Sequence, residues 1–245
     1  MTPSAAPVAI LCGGRGTRLR GTEAIPKGLV EIGGRPILWH VIGIYAAQGF
    51  DRFLLCTGYM GAQIEDWAAS EDWRSGVEVD CFDTGVDTPT GGRTLMAMER
   101  IGEEPVNLTY ADGVADIDLA AQLRFHQSHG EPATMTVVQP SLQFGVAEID
   151  EAGRVRGFAE KPRLERWING GFFHFEPTVR DYLTPDSVLE REPLERLAAD
   201  GRLRAYRHDG FWDCMDTYKD AVMLNDLWDR GDPPWPAWEP SGKPG

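Results

Sequence analysis

Residues 8–19 read VAILCGGRGTRL. The apolar, β-branched run that opens this stretch, residues 8–12, predicts a short buried strand. The glycines that follow let the backbone turn sharply and approach a ligand closely, with N–H groups directed outward. Phosphates bind to such N–H arrays, and Arg15 and Arg18 add positive charge. A strand–turn–helix corner without a ligand fits the same letters, so the loop alone leaves both interpretations open.

The loop departs from two common phosphate-binding patterns. No Gly-Lys-Ser or Gly-Lys-Thr follows at the spacing of a Walker A motif. The dinucleotide pattern Gly-x-Gly-x-x-Gly fails at Leu19, which stands where the third glycine belongs after Gly14 and Gly16. The kind of phosphate ligand therefore has to be inferred from the residues beyond the loop.

Strand and helix signals alternate through the first half of the chain. The predicted strands are residues 8–12, 52–57, 77–82 and 105–110, and the predicted helices are residues 35–48, 61–69, 92–101 and 118–128, the last with Asp118 as N-cap. This alternation is typical of parallel βαβ units in an α/β sheet. Strands at residues 133–139, 144–149, 155–160 and 168–175 predict an antiparallel or mixed extension, and helices follow at residues 192–199 and 218–230. One domain is expected over residues 1–230, followed by a Pro- and Trp-rich arm over residues 231–245.

Composition excludes several classes of protein. The chain has 245 residues, of which 42% are apolar and 25% charged, as in a globular protein with a sizeable core. Lys and Arg number 24 against 38 Asp and Glu, and the net charge of −14 disfavours binding to nucleic acid or anionic membranes. No apolar run approaches the roughly 18 residues of a membrane span. The four cysteines form no Cys-x-x-Cys pair, so we expect free thiols and a cytoplasmic location.

The residues after the loop narrow the class further. Residues 26–38 read PKGLVEIGGRPIL. In this order the chain resembles the sugar-1-phosphate nucleotidyltransferases, which carry a Gly-Gly-x-Gly-Thr-Arg-Leu loop, a Pro-Lys-Pro segment and a Gly-Gly-x-Pro-Ile helix start. Within that family it is most similar to the glucose-1-phosphate cytidylyltransferases. The similar stretches run nearly end to end and include residues 30–40, 90–93, 109–118, 169–173, 210–217 and 227–239.

The resemblance implies a fold and a reaction. The fold is a Rossmann-like three-layer sandwich of the nucleotide-diphospho-sugar transferase type, with a mixed, mostly parallel central sheet and a small antiparallel extension. Residues 1–130 then form the nucleotide-binding half and residues 131–230 the sugar-binding half. In the reaction, a sugar 1-phosphate attacks the α-phosphorus of a nucleoside triphosphate, with CTP and glucose 1-phosphate favoured, and pyrophosphate leaves. The attacking phosphate is already mostly dianionic near neutral pH, so no general base is needed.

The main difficulty of this reaction is negative charge, which calls for Mg²⁺ on hard oxygen ligands together with Lys and Arg. Asp112 ends an apolar strand, where ligands of open α/β sheets collect. The resemblance implies that Asp112 and Asp216 hold the metal, that Lys27 neutralises triphosphate oxygens, and that Arg18 holds the departing phosphates. Asp213 is expected to be solvated. A cap or turn residue is the commoner role of a lone loop aspartate.

The resemblance also implies two sets of binding residues. The nucleotide set is Leu11, Cys12, Gly13, Gly14, Gly16, Thr17, Thr88, Gly92, Arg93 and Ala111. The sugar-phosphate set is Glu160, Lys161, Asn169 and Gly170. Simpler interpretations stay open: residues 90–93 also fit a plain helix start with Thr90 as cap and Arg93 on the surface, and residues 160–161 fit a solvated ion pair. The histidines show no metal-ligand spacing and are interpreted as structural or surface residues.

Some residues depart from the family pattern. Ala111 replaces a glycine, Cys12 an alanine and Cys214 a proline, while Gly28 follows the lysine where the family has proline. These changes leave open another triphosphate, a sugar-like phosphate in place of the sugar, or a nucleotide-sugar-binding module without catalysis. A metal-dependent glycosyltransferase is a third class that we considered. The resemblance implies a homo-oligomer, and the Trp-rich tail is expected to dock on its own core or on a neighbouring subunit.

Overall fold

The glycine-rich loop leaves the first strand of a large mixed sheet. A computed structural model describes residues 6–15, 25–231 and 233–235. The strands are β1 (Val8–Leu11), β2 (Glu31–Ile32), β3 (Arg35–Pro36), β4 (Arg52–Thr57), β5 (Glu78–Asp83), β6 (Val106–Tyr110), β7 (Gly113–Ala115), β8 (Ala133–Val138), β9 (Val146–Ile149), β10 (Val155–Ala159), β11 (Ile168–Asn169), β12 (Phe173–Phe175), β13 (Leu203–Arg207) and β14 (Trp212–Cys214). The α-helices are α1 (Ile37–Ala46), α2 (Gly61–Ser70), α3 (Thr90–Ile101), α4 (Leu119–His129), α5 (Glu192–Ala199) and α6 (Tyr218–Asp229), and 3₁₀ helices cover Lys27–Leu29 and Pro177–Tyr182.

The sheet joins strands from both halves of the chain. Its order is β11-β8-β12-β6-β1-β4-β5, with β13 paired to β8. Strand β1 lies parallel to β4 and β6, and β5 parallel to β4. Strand β12 is antiparallel to both β6 and β8. The predicted α/β fold, with a mostly parallel sheet and an antiparallel extension, is confirmed.

Both faces of the sheet are covered. In β1, Val8 and Ile10 belong to one buried apolar cluster and Ala9 and Leu11 to another. Because successive side chains of a strand point to opposite faces, these clusters are the two interfaces of a three-layer sandwich. The first cluster includes the aliphatic and aromatic apolar side chains of α1, and the second includes Ala97 of α3.

Several element boundaries differ from the sequence prediction. Helix α1 begins at Ile37, because Arg35 and Pro36 pair as β3 with β2, so Pro36 is the N-cap residue and lies before the first turn. Asp118 caps α4 as predicted, and its side chain accepts a 2.7 Å bond from the Ala121 N–H. The short strands β7, β13 and β14 were not predicted.

The strand predicted over residues 168–175 is broken in two. Strand β11 pairs with Val137 and Val138 of β8, while β12 pairs with both β6 and β8. Between them Gly171 has φ 74° and Phe172 has φ 47°, both in the left-handed region. This turn displaces Asn169 from the line of β12. It thereby gives the carboxyl edge of the sheet a polar side chain that a continuous strand would not have placed there.

The C-terminal arm packs on the core of its own chain as far as residue 235. The Trp235 side chain is 1% exposed, and its Nε1–H donates a 3.2 Å bond to Nδ1 of His40 in α1. Its ring also stacks on Phe211, with 5.7 Å between centroids. Trp238 lies outside the described residues. Among the helices of the described residues, none has the length and apolar character needed to cross a membrane.

Candidate active site

Asp112 and Asp216 converge on one lysine. The Nζ atom of Lys27 donates a hydrogen bond to Oδ2 of Asp112 and a second one, 2.5 Å long, to Oδ1 of Asp216. The lysine side chain is 19% exposed, and those of Asp112 and Asp216 are 22% and 40% exposed. Residues that are 189 positions apart in sequence thus share one charged contact. The predicted meeting of these two carboxylates is present in the structure.

Local pairing brings the two aspartates together. Asp112 follows β6, and the next residues form β7, which pairs antiparallel with β14. Cys214 of β14 faces Gly113, and the Met215 N–H donates a 2.9 Å bond to the Asp112 carbonyl. Asp216 then stands one residue before the N-cap of α6. A capping box closes there, in which Thr217 and Asp220 bond reciprocally and fix the turn.

The charge balance at this point favours a protonated Lys27. Burial by itself would lower the pKa of the lysine, but the carboxylates of Asp112 and Asp216 outweigh it, and the pKa is raised above its ordinary value. Two carboxylates this close repel each other unless a cation lies between them. The lysine supplies that cation here.

A cleft of about 670 Å³ opens beside the three charged side chains. It lies at the carboxyl ends of the neighbouring parallel strands β1 and β6, where ligands of open α/β sheets bind. Its lining consists of Leu11, Cys12, Gly14, Lys27, Gly28, Thr90, Tyr110, Ala111, Asp112, Asn169, Glu190 and Asp216. A smaller recess of about 200 Å³ shares Tyr110, Asp112, Asn169 and Asp216 with the cleft, and its lining also includes Gly170, Gly171 and Trp212.

Comparison with known proteins assigns this site to a family. The sequence matches the family described as Nucleotidyl transferase over residues 8–215. The chain belongs to that family. This nucleotidyltransferase is 40% identical over 251 residues to the "Probable glucose-1-phosphate cytidylyltransferase" of Bacillus subtilis, and 41% identical over 258 residues to the "Glucose-1-phosphate cytidylyltransferase" of Salmonella typhi. Each alignment covers 94% of this chain and 98% of the relative.

Solved structures agree on the fold. The crystal structure of HddC from Yersinia pseudotuberculosis superposes with a TM-score of 0.72 at 23% identity, over 91% of this chain and 99% of that one. The inositol-1-phosphate CTP transferase from T. maritima superposes with a TM-score of 0.70 at 16% identity, over 94% of this chain and 99% of that one. Family membership makes the protein a sugar-phosphate nucleotidyltransferase, and these structures confirm the predicted fold type.

The side chain of Arg93 donates hydrogen bonds to the backbone of the glycine loop and of the segments beside it. Its side chain is buried, with 3% exposed, so the surface position considered from the sequence is wrong. The guanidinium donates to the carbonyls of Gly13 at 3.0 Å, Thr57 at 2.8 Å and Val86 at 3.3 Å, and to the Thr84 hydroxyl. A Cβ atom at Gly13 would overlap this guanidinium, so only glycine lets the loop approach it.

The other predicted nucleotide residues near the start of α3 are engaged within the protein. Thr88 donates a 2.5 Å bond to the Thr84 carbonyl, and the Gly92 N–H donates a 3.2 Å bond to the Ser187 carbonyl. Thr90 is the first residue of α3, and its predicted cap role is wrong because its hydroxyl bonds to Glu190 instead. Thr90 lines the cleft, whereas the predicted nucleotide residues Thr88, Gly92 and Arg93 do not.

The other predicted residues lie in the recess, on the exposed surface or outside the described ranges. Glu160 and Lys161 are exposed after β10 and do not line the cleft or the recess, while Gly170 lines the recess. Gly16, Thr17 and Arg18 lie outside the described residues. Arg15 of the glycine loop pairs with Asp87 at 2.6 Å.

Tyr110 and Glu190 line the cleft, although neither of them was assigned a role from the sequence. Tyr110 ends β6 immediately before Ala111 and Asp112, so its position beside a strand-end aspartate was a usable signal. Glu190 precedes α5 and has no motif of its own to reveal it. Asp213 was expected to be solvated, but it is half-buried. Burial raises its pKa to about 6, against the opposing effect of the Cys214 N–H bond.

The fold also brings together histidines that sequence spacing kept apart. His126, His174 and Glu176 place potential ligand atoms within 4.8 Å of one another. The His126 ring bonds to Thr134 at 2.8 Å and to Glu176 at 3.2 Å, and Nδ1 of His174 lies 2.9 Å from the Asn107 oxygen. Burial lowers the pKa of His126 and brings that of His174 to about 3. These neutral, hydrogen-bonded rings fit the structural role expected from the sequence.

Proposed function

We propose that the enzyme transfers a cytidylyl group from CTP to glucose 1-phosphate in a Mg²⁺-dependent reaction that releases pyrophosphate. The observation that carries the proposal is the convergence of Asp112 and Asp216 on Lys27 at the edge of the cleft. The choice of CTP and glucose 1-phosphate rests on the relatives, two of which carry those substrates in their names at 40% and 41% identity.

The two carboxylates fit a divalent cation. They belong to distant segments, yet a positively charged nitrogen already lies between them, at a point where charge of that sign is stabilised. Carboxylate oxygens are the ligands that Mg²⁺ prefers, and a magnesium ion bound to proteins through one or two carboxylates commonly completes its shell with substrate phosphates. Asp112 and Asp216 would hold the ion, which when bound supplies positive charge at the phosphate undergoing attack.

The protein's own residues do the rest. The glycine loop begins at the carboxyl end of β1, next to the strand that precedes Asp112, where backbone N–H groups of such a loop would bind phosphate oxygens. With Asp112 and Asp216 holding a metal ion, Lys27 would be available to pair with phosphate oxygens instead of with the carboxylates. The attacking sugar phosphate is a dianion and needs no base, so catalysis here means holding two polyanions together and offsetting their charge.

Pyrophosphate release against a panel of substrates tests the proposal. Purified enzyme is incubated with each of CTP, UTP, GTP, ATP and dTTP and with glucose 1-phosphate, other sugar 1-phosphates and inositol 1-phosphate, with Mg²⁺ or with EDTA. We expect fastest release with CTP and glucose 1-phosphate and none with EDTA. Full turnover in EDTA contradicts the metal role, and preference for another pair contradicts the substrates. Binding without release supports the non-catalytic module.

We also propose a homo-oligomer in the cytoplasm. Large apolar side chains of the β9–β10 region are exposed, among them Phe144 at 80%, Ile149 at 69% and Phe158 at 68%. Contact with another copy of the chain would cover such surface. The four cysteines are free thiols, as suits a reducing compartment. Light scattering coupled to size exclusion measures the assembly, and a monomer at micromolar concentration contradicts it.

A further inference from the structure

The cleft contains a carboxylate that the proposed reaction does not use. Glu190 lies before α5, is exposed, and lines the cleft together with Thr90 and Tyr110. Phosphates of either substrate would be repelled by this charge. A carboxylate in a cleft for polyanions therefore faces a part of the substrate that donates hydrogen bonds and carries no charge.

Hydrogen bonds within the protein hold this carboxylate in place. The Leu189 N–H donates a 3.0 Å bond to the Thr90 hydroxyl, so that the Thr90 proton points to Oε2 of Glu190 at 2.6 Å. On the other side the Tyr110 hydroxyl donates a 2.5 Å bond to Oε1. Both carboxylate oxygens are thus oriented before any ligand arrives.

The network continues to the sugar-binding segment. The Gly171 N–H donates a 2.9 Å bond to Oδ1 of Asn169, which fixes the amide, and Nδ2 of Asn169 donates a 3.3 Å bond to the Tyr110 oxygen. Every donor in the series therefore points toward Glu190. A carboxylate offers about four lone-pair positions, and the two internal donors occupy two of them. Within residues 6–15, 25–231 and 233–235, no Lys or Arg pairs with Glu190.

The position of Tyr110 decides which part of a substrate reaches Glu190. Tyr110 ends β6 and Asp112 lies two residues later, in the turn before β7, so their Cα atoms are at most about 7 Å apart. A sugar 1-phosphate whose phosphate lies beside Asp112 and Asp216 then extends its ring toward Tyr110 and Asn169, which line both the cleft and the recess. Glu160, expected from the sequence to receive sugar hydroxyls, lines neither.

We propose that Glu190 accepts hydrogen bonds from hydroxyl groups on the ring of the sugar-phosphate substrate and so contributes to the choice of sugar. The proposal rests on the function proposed above and adds to it a residue that sets specificity. Because the bonded acceptor is charged, loss of one such bond costs about tenfold or more in kcat/KM. This loss in kcat/KM is expected only for an analogue that lacks a hydroxyl which Glu190 contacts.

The test measures kcat/KM for glucose 1-phosphate and for analogues that each lack one ring hydroxyl, in the wild type, in E190A and in E190Q. In the wild type we expect at least one analogue to lose about tenfold or more, and in E190A the same analogue to lie within about twofold of the parent sugar. E192Q is the matched control, because Glu192 begins α5 with a 69% exposed side chain and lies outside the cleft lining. Its selectivity should equal that of the wild type.

Three results overturn the proposal. A Glu190 that only supports Tyr110 and Thr90 would lower kcat/KM for all sugars by one factor and leave their ratios unchanged. If E190A no longer discriminates against 2′-deoxy or 3′-deoxy CTP while its kcat/KM ratios among the sugar analogues equal those of the wild type, Glu190 contacts the ribose of the nucleotide instead of the sugar. A wild type that treats all the analogues alike would also contradict it. Failure of the proposed function is distinct, since the wild type would then release no pyrophosphate with the parent sugar. If E190A does not fold, E190Q should discriminate less than the wild type, because its uncharged amide oxygen accepts a weaker hydrogen bond, and unchanged ratios would contradict the proposal.

Discussion

Oδ1 of Asp216 lies 2.5 Å from Nζ of Lys27, the atom that also donates to Asp112. One cation therefore occupies the place between two carboxylates that a divalent ion is proposed to take. A metal ion held by Asp112 and Asp216 would displace the lysine from the carboxylates, and the lysine would then be available to neutralise phosphate oxygens.

Removing either carboxylate should stop catalysis without unfolding the protein. Asp112→Asn and Asp216→Asn keep the size of the side chain and one oxygen, but lose the charge that holds the metal. We expect pyrophosphate release to fall by roughly a hundredfold or more, the order of loss on removing an electrostatic group of the transition state. Asp226→Asn, an exposed aspartate of α6, is the control and should keep full activity. Wild-type rates in either site variant would refute the metal assignment.

Replacement of Lys27 by Met should separate metal affinity from activity. Without the ammonium group the two carboxylates repel each other, so Mg²⁺ binds to K27M more tightly than to the wild type in the absence of nucleotide. We expect a larger rise in Tm on adding Mg²⁺ to K27M, together with a loss of turnover because the triphosphate is less well neutralised. Equal Mg²⁺ shifts in the two proteins would show that the lysine does not compete with the metal.

Arg93 should matter more for stability than any exposed arginine of the same helix. Arg93→Met removes the charged donor that the carbonyls of Gly13, Thr57 and Val86 share. Because Gly13 and Thr57 keep other donors, from Tyr59 and Thr84, we expect a cost of about 1.5–3 kcal/mol, the value for one hydrogen bond to a charged group. For a chain of this size we expect a fall in Tm of several degrees or more, and a raised KM for the triphosphate. Arg100→Met, which removes an exposed pair with Asp80, should change Tm little. Equal effects of both variants would contradict the supporting role of Arg93.

Acid should destabilise the protein partly through His40. Burial lowers the pKa of His40 to about 4, although its bond to the Ile32 carbonyl acts the other way. The unfolded chain takes up the proton below its ordinary pKa near 6.5 and the folded chain does not, so stability is complete above that pH and declines toward pH 4. The decline contributed is about 1.4 kcal/mol per pH unit.

Urea unfolding of the wild type and His40→Asn across this range measures the effect. The variant should be less stable at neutral pH, because the Ile32 and Trp235 partners are disturbed, but its stability should depend less steeply on pH. The buried His174, whose pKa is lowered to about 3, accounts for part of the slope that remains. Identical slopes in the two proteins would exclude His40 as the titrating group.

Short sequence patterns predicted the elements whose formation depends mainly on residues close together in the chain. The apolar run before the glycines gave β1, helical spacing gave α2 and α5, and Asp118 gave the start of α4. The break between β11 and β12 escaped prediction, although Gly170 and Gly171 are turn-forming residues within an otherwise strand-like stretch. Only the different pairing partners of β11 and β12 show that the pair ends a strand there. The short strand β14 likewise exists because β7 is there to pair with it.

The same distinction between local patterns and long-range contacts applies to the residues of the site. Lys27, Asp112 and Asp216 could be named because each stands in a motif of the family. Glu190 could not, because its role depends on Thr90 and Tyr110, which reach it from α3 and β6 over 100 and 80 residues of sequence. Arg93 was predicted to contact the nucleotide or else to lie on the surface. It is buried against the Gly13 carbonyl, and that burial depends on tertiary packing, which the sequence alone does not give.

The bond between Trp235 and His40 spans 195 residues and joins the last described aromatic of the chain to its first helix. A ribosome that has synthesised α1 must therefore continue as far as Trp235 before the ring of His40 receives this partner. A chain cut short before residue 235 would expose that histidine and the surrounding aromatic rings, which are the kind of surface that quality-control proteases and chaperones bind.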